Sequence, residues 1–92
     1  MFTSIADLGL KKLSIAPNPS NGLFTLSFET EKAENVSFRI FDALGRMVEE
    51  KAAEKIEGAY THQINLNNAA KGVYTLEIIS GSNSSSLRLV VN

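Results

Sequence analysis

Ninety-two residues hold one domain at most, with room for a single modest core, and the 43% hydrophobic and 21% charged fractions are those of a soluble globular protein. Nine basic residues against ten acidic ones leave a formal net charge of -1, and Lys11-Lys12 is the only adjacent basic pair, so nothing electrostatic favours nucleic acid or an anionic membrane as partner. Cysteine is absent, which excludes disulfides, thiolate metal sites and cysteine nucleophiles.

No apolar run approaches the roughly 18–20 residues that span a bilayer. Residues 1–10 lack a basic stretch followed by an apolar one and do not form a signal peptide. If the domain is exported, its export signal is expected on a longer parent chain.

From residue 12 onward the dominant period is two. Phe24, Leu26 and Phe28 alternate with Thr25 and Ser27. So do Val36, Phe38 and Ile40, then Tyr60, His62, Ile64 and Leu66, then Tyr74, Leu76 and Ile78, and last Leu87, Leu89 and Val91. Alternate side chains of a strand point to opposite faces, so each set can line one face of a sheet. The breaks carry turn chemistry. Pro17-Asn18-Pro19-Ser20-Asn21-Gly22 resists regular ladder pairing through its prolines. Asp42-Ala43-Leu44-Gly45 predicts a hairpin turn, with Gly45 left-handed. Residues 67–71 form a polar connection closed by Gly72, and residues 81–84 a short turn.

Seven strands are predicted, near residues 12–16, 22–28, 36–42, 46–51, 58–66, 72–80 and 85–91. Residues 47–57, rich in Glu, Lys and Ala, compete as a helix but are flanked by Gly45 and Gly58, so a strand followed by an exposed loop is expected. The fold class is all-β: an immunoglobulin-like antiparallel β-sandwich of about seven strands.

No catalytic or cofactor constellation stands out. His62 is the only histidine and has no Cys or second His beside it. No Ser sits in a nucleophile elbow. Glu29, Glu31, Glu34, Glu49, Glu50, Glu54 and Glu57 lie among lysines and suit a solvated face better than paired acid–base work. Asp42, Asn67 and Asn68 match no calcium loop, and Gly45, Gly58 and Gly72 are isolated rather than a phosphate loop. Tyr74, just after the loop glycine Gly72, suits a tyrosine corner, its phenol bonding back to the loop backbone. The expectation is a domain that is not an enzyme and carries no cofactor or metal.

The order of the motifs is more specific. Leu13-Ser14-Ile15-Ala16-Pro17-Asn18-Pro19-Ser20-Asn21-Gly22 resembles the opening of the type A C-terminal sorting domain of the type IX (Por) secretion system of Bacteroidetes. Ile40-Phe41-Asp42-Ala43-Leu44-Gly45-Arg46-Met47-Val48 resembles that family's hairpin. Ile64-Asn65-Leu66 through Lys71-Gly72-Val73-Tyr74-Thr75-Leu76-Glu77-Ile78 resembles its Gly-x-Tyr segment, and Leu87-Arg88-Leu89-Val90-Val91 its last strand. Arg88 stands where the family often has Lys, keeping the charge, and Asn92 adds a polar residue at the end.

The resemblance divides the chain into a linker from a cargo domain (residues 1–11) and a sorting domain (residues 12–92). It implies a parent that reaches the periplasm by its own signal. Outer-membrane components of the type IX machinery would then recognise the domain and translocate the parent to the cell surface or medium. A surface sortase would cut before about Leu13, releasing or anchoring the cargo. Pro17, Asn18, Pro19, Gly72, Tyr74, Arg88, Leu89, Val90 and Val91 are the candidate recognition residues. An exposed final strand is also expected to dock by strand addition, to a partner or as an edge-strand dimer. The alternative is an immunoglobulin- or fibronectin-like spacer or ligand-binding module of a surface protein, since sandwiches serve many functions.

Overall fold

The computed structural model describes residues 10–66, 69–81 and 83–92. Among these the chain is all-β and antiparallel, with five strands: β1 (Leu10–Ala16), β2 (Leu23–Phe41), β3 (Met47–Asn65), β4 (Gly72–Ser80) and β5 (Asn83–Val91). No helix forms among the described residues, and the Glu/Lys/Ala-rich residues 47–57 are strand. Pairing along β2 overrides their helix propensity.

Five strands replace the seven expected because two pairs run on without a break. Residues 23–41 are one strand, and so are residues 47–65, paired with each other along their length. The sequence break was real, but it is a bend rather than a loop. Between Thr30 and Glu34 the register slips against residues 56–58, and Gly58 takes φ 87°. Two extra residues on one strand bend and twist the pair. Buried Thr30 staples this corner: its hydroxyl donates to the Ile56 carbonyl (3.3 Å) and accepts from the Gly58 N–H (3.0 Å).

The bend changes the neighbours of β2. Its first half pairs with β1 (Ile15 opposite Leu26) and with the second half of β3 (Phe24 opposite Ile64). Its second half pairs with the first half of β3 and, on the other edge, with β4 (Phe38 opposite Ile78). β4 pairs in turn with β5. The inward sets from both halves form one core: Phe24, Leu26, Phe28, Val36, Phe38, Ile40, Ile64, Leu66, Tyr74, Leu76, Ile78, Leu89 and Val91 are buried as the period-two pattern predicts, while Tyr60, His62 and Leu87 of the same sets are half-buried.

The β2–β3 turn forms as expected. Gly45 is left-handed (φ 84°), and the Asp42 carboxylate accepts from the backbone N–H groups of Leu44 and Arg46 and from Arg46 Nε, each at 2.9 Å. The Arg46 N–H leads the causes that hold the Asp42 carboxyl below its ordinary pKa.

Strand β1 starts earlier than the predicted residue 12. Leu10 is buried and lies opposite Thr30, ahead of a bulge at which Lys12 takes φ 55°. A chain beginning at Leu13 is therefore expected to be about 2–5 kcal/mol less stable than one beginning at Leu10, the cost of emptying a buried Leu site. Urea midpoints of the two proteins check this.

Candidate functional site

Prolines at 17 and 19 carry no N–H and cannot join a ladder. The loop nonetheless lies along the outer edge of β5. The Asn18 side-chain amide substitutes for a strand residue: Nδ2 donates to the Arg88 carbonyl (2.6 Å), and Oδ1 accepts from the Val90 N–H (3.0 Å). Ser20 continues the pairing through its backbone. Its N–H donates to Val90 O (3.0 Å), and its carbonyl accepts from the Asn92 N–H (2.9 Å), a short parallel bridge beside Val91. The Ser20 hydroxyl is buried and folds the loop, donating to Leu23 O and accepting from Gly22 N–H (3.1 Å).

The inner edge of the same segment is held by β4. Gly72 lies opposite Val91, Val73 opposite Val90, and Tyr74 opposite Leu89. Tyr74 is buried, and its phenol donates back to the Ala70 carbonyl (2.5 Å), the tyrosine corner expected from Gly72-Val73-Tyr74. Removing that hydroxyl with Tyr74→Phe is expected to cost about 1 kcal/mol, and Tyr74→Ala about 3–5 kcal/mol through lost packing. The ratio of the two losses in urea titrations separates the bond from the ring.

All nine sequence candidates thus meet at one end of the domain. They divide by direction: Leu89, Val91 and Tyr74 point into the core, while Pro17, Asn18, Pro19, Gly72 and Arg88 are exposed and Val90 is half-buried. The outer edge of β5 is occupied at residues 88–92 by Asn18 and Ser20. Strand addition there is limited to residues 83–87, beyond these contacts.

Sequence reasoning missed two features of this end. Ser20 is one; its signal is its position two residues after Asn18, where a strand's edge-facing groups repeat. The other is an apolar groove of about 330 Å³ beside Gly72 and Tyr74, lined by Leu44, Val48 and Val73 with Arg46 and Lys71. Exposed apolar residues in a turn and on two separate strands gave no joint signal along the chain.

The His62 ring lies against Phe38 (centroids 5.2 Å) and stacks on Tyr60 (6.3 Å). Three of the candidate carboxylates pair across the surface, Glu31 with Lys11 (2.8 Å), Glu29 with Lys12 (3.7 Å) and Glu54 with Lys51 (2.8 Å). A hydrogen bond from Lys11 is the main cause of a lowered Glu31 pKa. Among the described residues no three His, Asp or Glu side chains are grouped to hold a metal, and Asn67 and Asn68 lie outside them.

No curated protein matches the chain. A family model described as "Secretion system C-terminal sorting domain" matches residues 14–92, from within β1 to the last residue, and takes in the Asn18 clamp, the hairpin, the tyrosine corner and β5. The chain belongs to that family, the C-terminal sorting domains of type IX secretion.

Proposed function

We propose that this sorting signal for type IX secretion is read at the end of the domain where the loop of residues 17–20, β5 and the Gly72–Tyr74 corner converge. The observation that carries the proposal is the Asn18 clamp, which ties motifs 70 residues apart into one surface. Outer-membrane components of the machinery contact the exposed members, Pro17, Pro19, Gly72 and Arg88. Buried Tyr74, Leu89 and Val91 hold that surface in place.

The bent strands are best taken as halves of two facing layers, an immunoglobulin-like arrangement. β1, the first half of β2 and the second half of β3 stand against the first half of β3, the second half of β2, β4 and β5. The contact between Phe38 in one layer and His62 in the other supports this. The parent chain passes through the periplasm before outer-membrane translocation. The domain carries no chemistry of its own, and a surface sortase cuts between it and the cargo. A cut ahead of Leu10, within residues 1–9, leaves β1 whole.

The test is a reporter with its own periplasmic export signal, fused ahead of residues 1–92. It is expected at the surface or in the medium of a Bacteroidetes strain with an intact type IX system, and in the periplasm of a strain without it. A folded fusion that stays periplasmic in both strains overturns the proposal and leaves the spacer module in its place.

A further inference from the structure

The groove beside the tyrosine corner has a chemistry distinct from the rest of the surface. Three of the five large apolar side chains exposed among the described residues line it: Leu44 (79% exposed), Val48 and Val73. Its rim is cationic. The Asp42 carboxylate is occupied by Arg46 and by the turn's own N–H groups, so that pair is neutral. Lys71 makes no ion pair among the described residues, which leaves the groove one uncompensated positive charge.

We propose that this groove is a docking site for an apolar peptide segment bearing one carboxylate, supplied by the secretion machinery. The proposal rests on the sorting function above and deepens it by naming the partner's chemistry. Leu44, Val48 and Val73 receive the apolar side chains, and Lys71 takes the carboxylate. The groove shares Gly72 and Tyr74 with the candidate recognition end, so the two surfaces are continuous. Both its walls are pre-organised, one by the Asp42-capped turn and the other by the Tyr74 bond to Ala70. Pre-formed walls reduce the ordering cost of binding.

The test uses the reporter fusion in the intact strain. Leu44→Ser with Val48→Ser, both exposed, is expected to lower the surface-exported fraction about tenfold while the cooperative melt is kept. Lys71→Glu is expected to do the same, and Lys71→Arg to restore export. A photo-crosslinking amino acid in place of Leu44 is expected to capture a type IX component through a peptide of apolar residues with an Asp or Glu. The same probe in place of Ser84, at the opposite end of β5, is expected to capture none. Normal export of the folded serine variant or of Lys71→Glu overturns the proposal. So does a crosslink to a second copy of the domain, or to a basic or wholly polar peptide. If the unmutated fusion is itself not exported, the sorting function fails and the groove falls with it, an outcome distinct from failure of the variants alone.

Discussion

Deleting residues 88–92 is expected to unfold the domain rather than merely erase a signal. Leu89 is fully buried and Val91 nearly so, and each contributes about 1.5–3 kcal/mol by burial alone. The deletion also removes the partners of Gly72, Val73, Tyr74 and Thr75 on β4, and it strands Asn18 and Ser20. The combined loss is on the order of 5 kcal/mol or more, against a total stability of about 5–15 kcal/mol for a domain of this kind. Circular dichroism is expected to show the truncated chain without a cooperative melt; a cooperative melt near that of the full domain overturns the claim.

The consequence is practical. Loss of export on truncation does not separate recognition from folding. An outward-facing substitution does. Arg88→Glu changes an exposed side chain, while the Arg88 carbonyl still accepts from Asn18. It is expected to move stability by no more than about 0.5 kcal/mol. An export defect in that variant reports on contact with the machinery.

Much of this architecture was legible in the chain. The period-two runs named the buried face of every strand from β2 to β5, because one-sided burial forces strict alternation. The hairpin at residues 42–46 followed from Asp and Gly at the positions such a turn requires. Gly72-Val73-Tyr74 gave the corner. Strand continuity was not legible. Residues 31–35 and 52–57 are mostly exposed and, apart from the isolated buried Ile56, show no alternation, and such residues read as loop until a partner strand is known to follow the same bend. Nor did periodicity reach Leu10, because the bulge at Lys12 breaks the alternation just after it. The motifs of the candidate site were found one by one. Their union was hidden, because it depends on a side chain standing in for backbone across 70 residues.

That substitution makes Asn18 the most informative single position. Asn18→Ala removes two hydrogen bonds to β5, each contributing about 0.5–1.5 kcal/mol. For a domain of this size the loss corresponds to a fall in Tm on the order of 10 °C. It also frees the Arg88 carbonyl and the Val90 N–H on the outer edge of β5, next to the open residues 83–87, and an unpaired edge recruits another strand. Sedimentation is expected to show concentration-dependent association in the variant that the native domain does not share. Asn18→Asp is expected to be worse than Ala at pH 7. A carboxylate still accepts from the Val90 N–H, but its second oxygen faces the Arg88 carbonyl with no proton to offer. Protonation restores the donor, so the folded state binds the proton more tightly than the unfolded chain and raises the pKa of the introduced carboxyl. The deficit relative to the native domain is therefore smallest below about pH 4 and grows as pH rises through the folded-state value. Thermal melts of both proteins between about pH 3 and pH 7, taken as a difference, cancel the other carboxylates. A difference that is flat with pH overturns the two-point clamp; one that widens upward identifies the Asn18 amide nitrogen as a donor to the Arg88 carbonyl of the final strand.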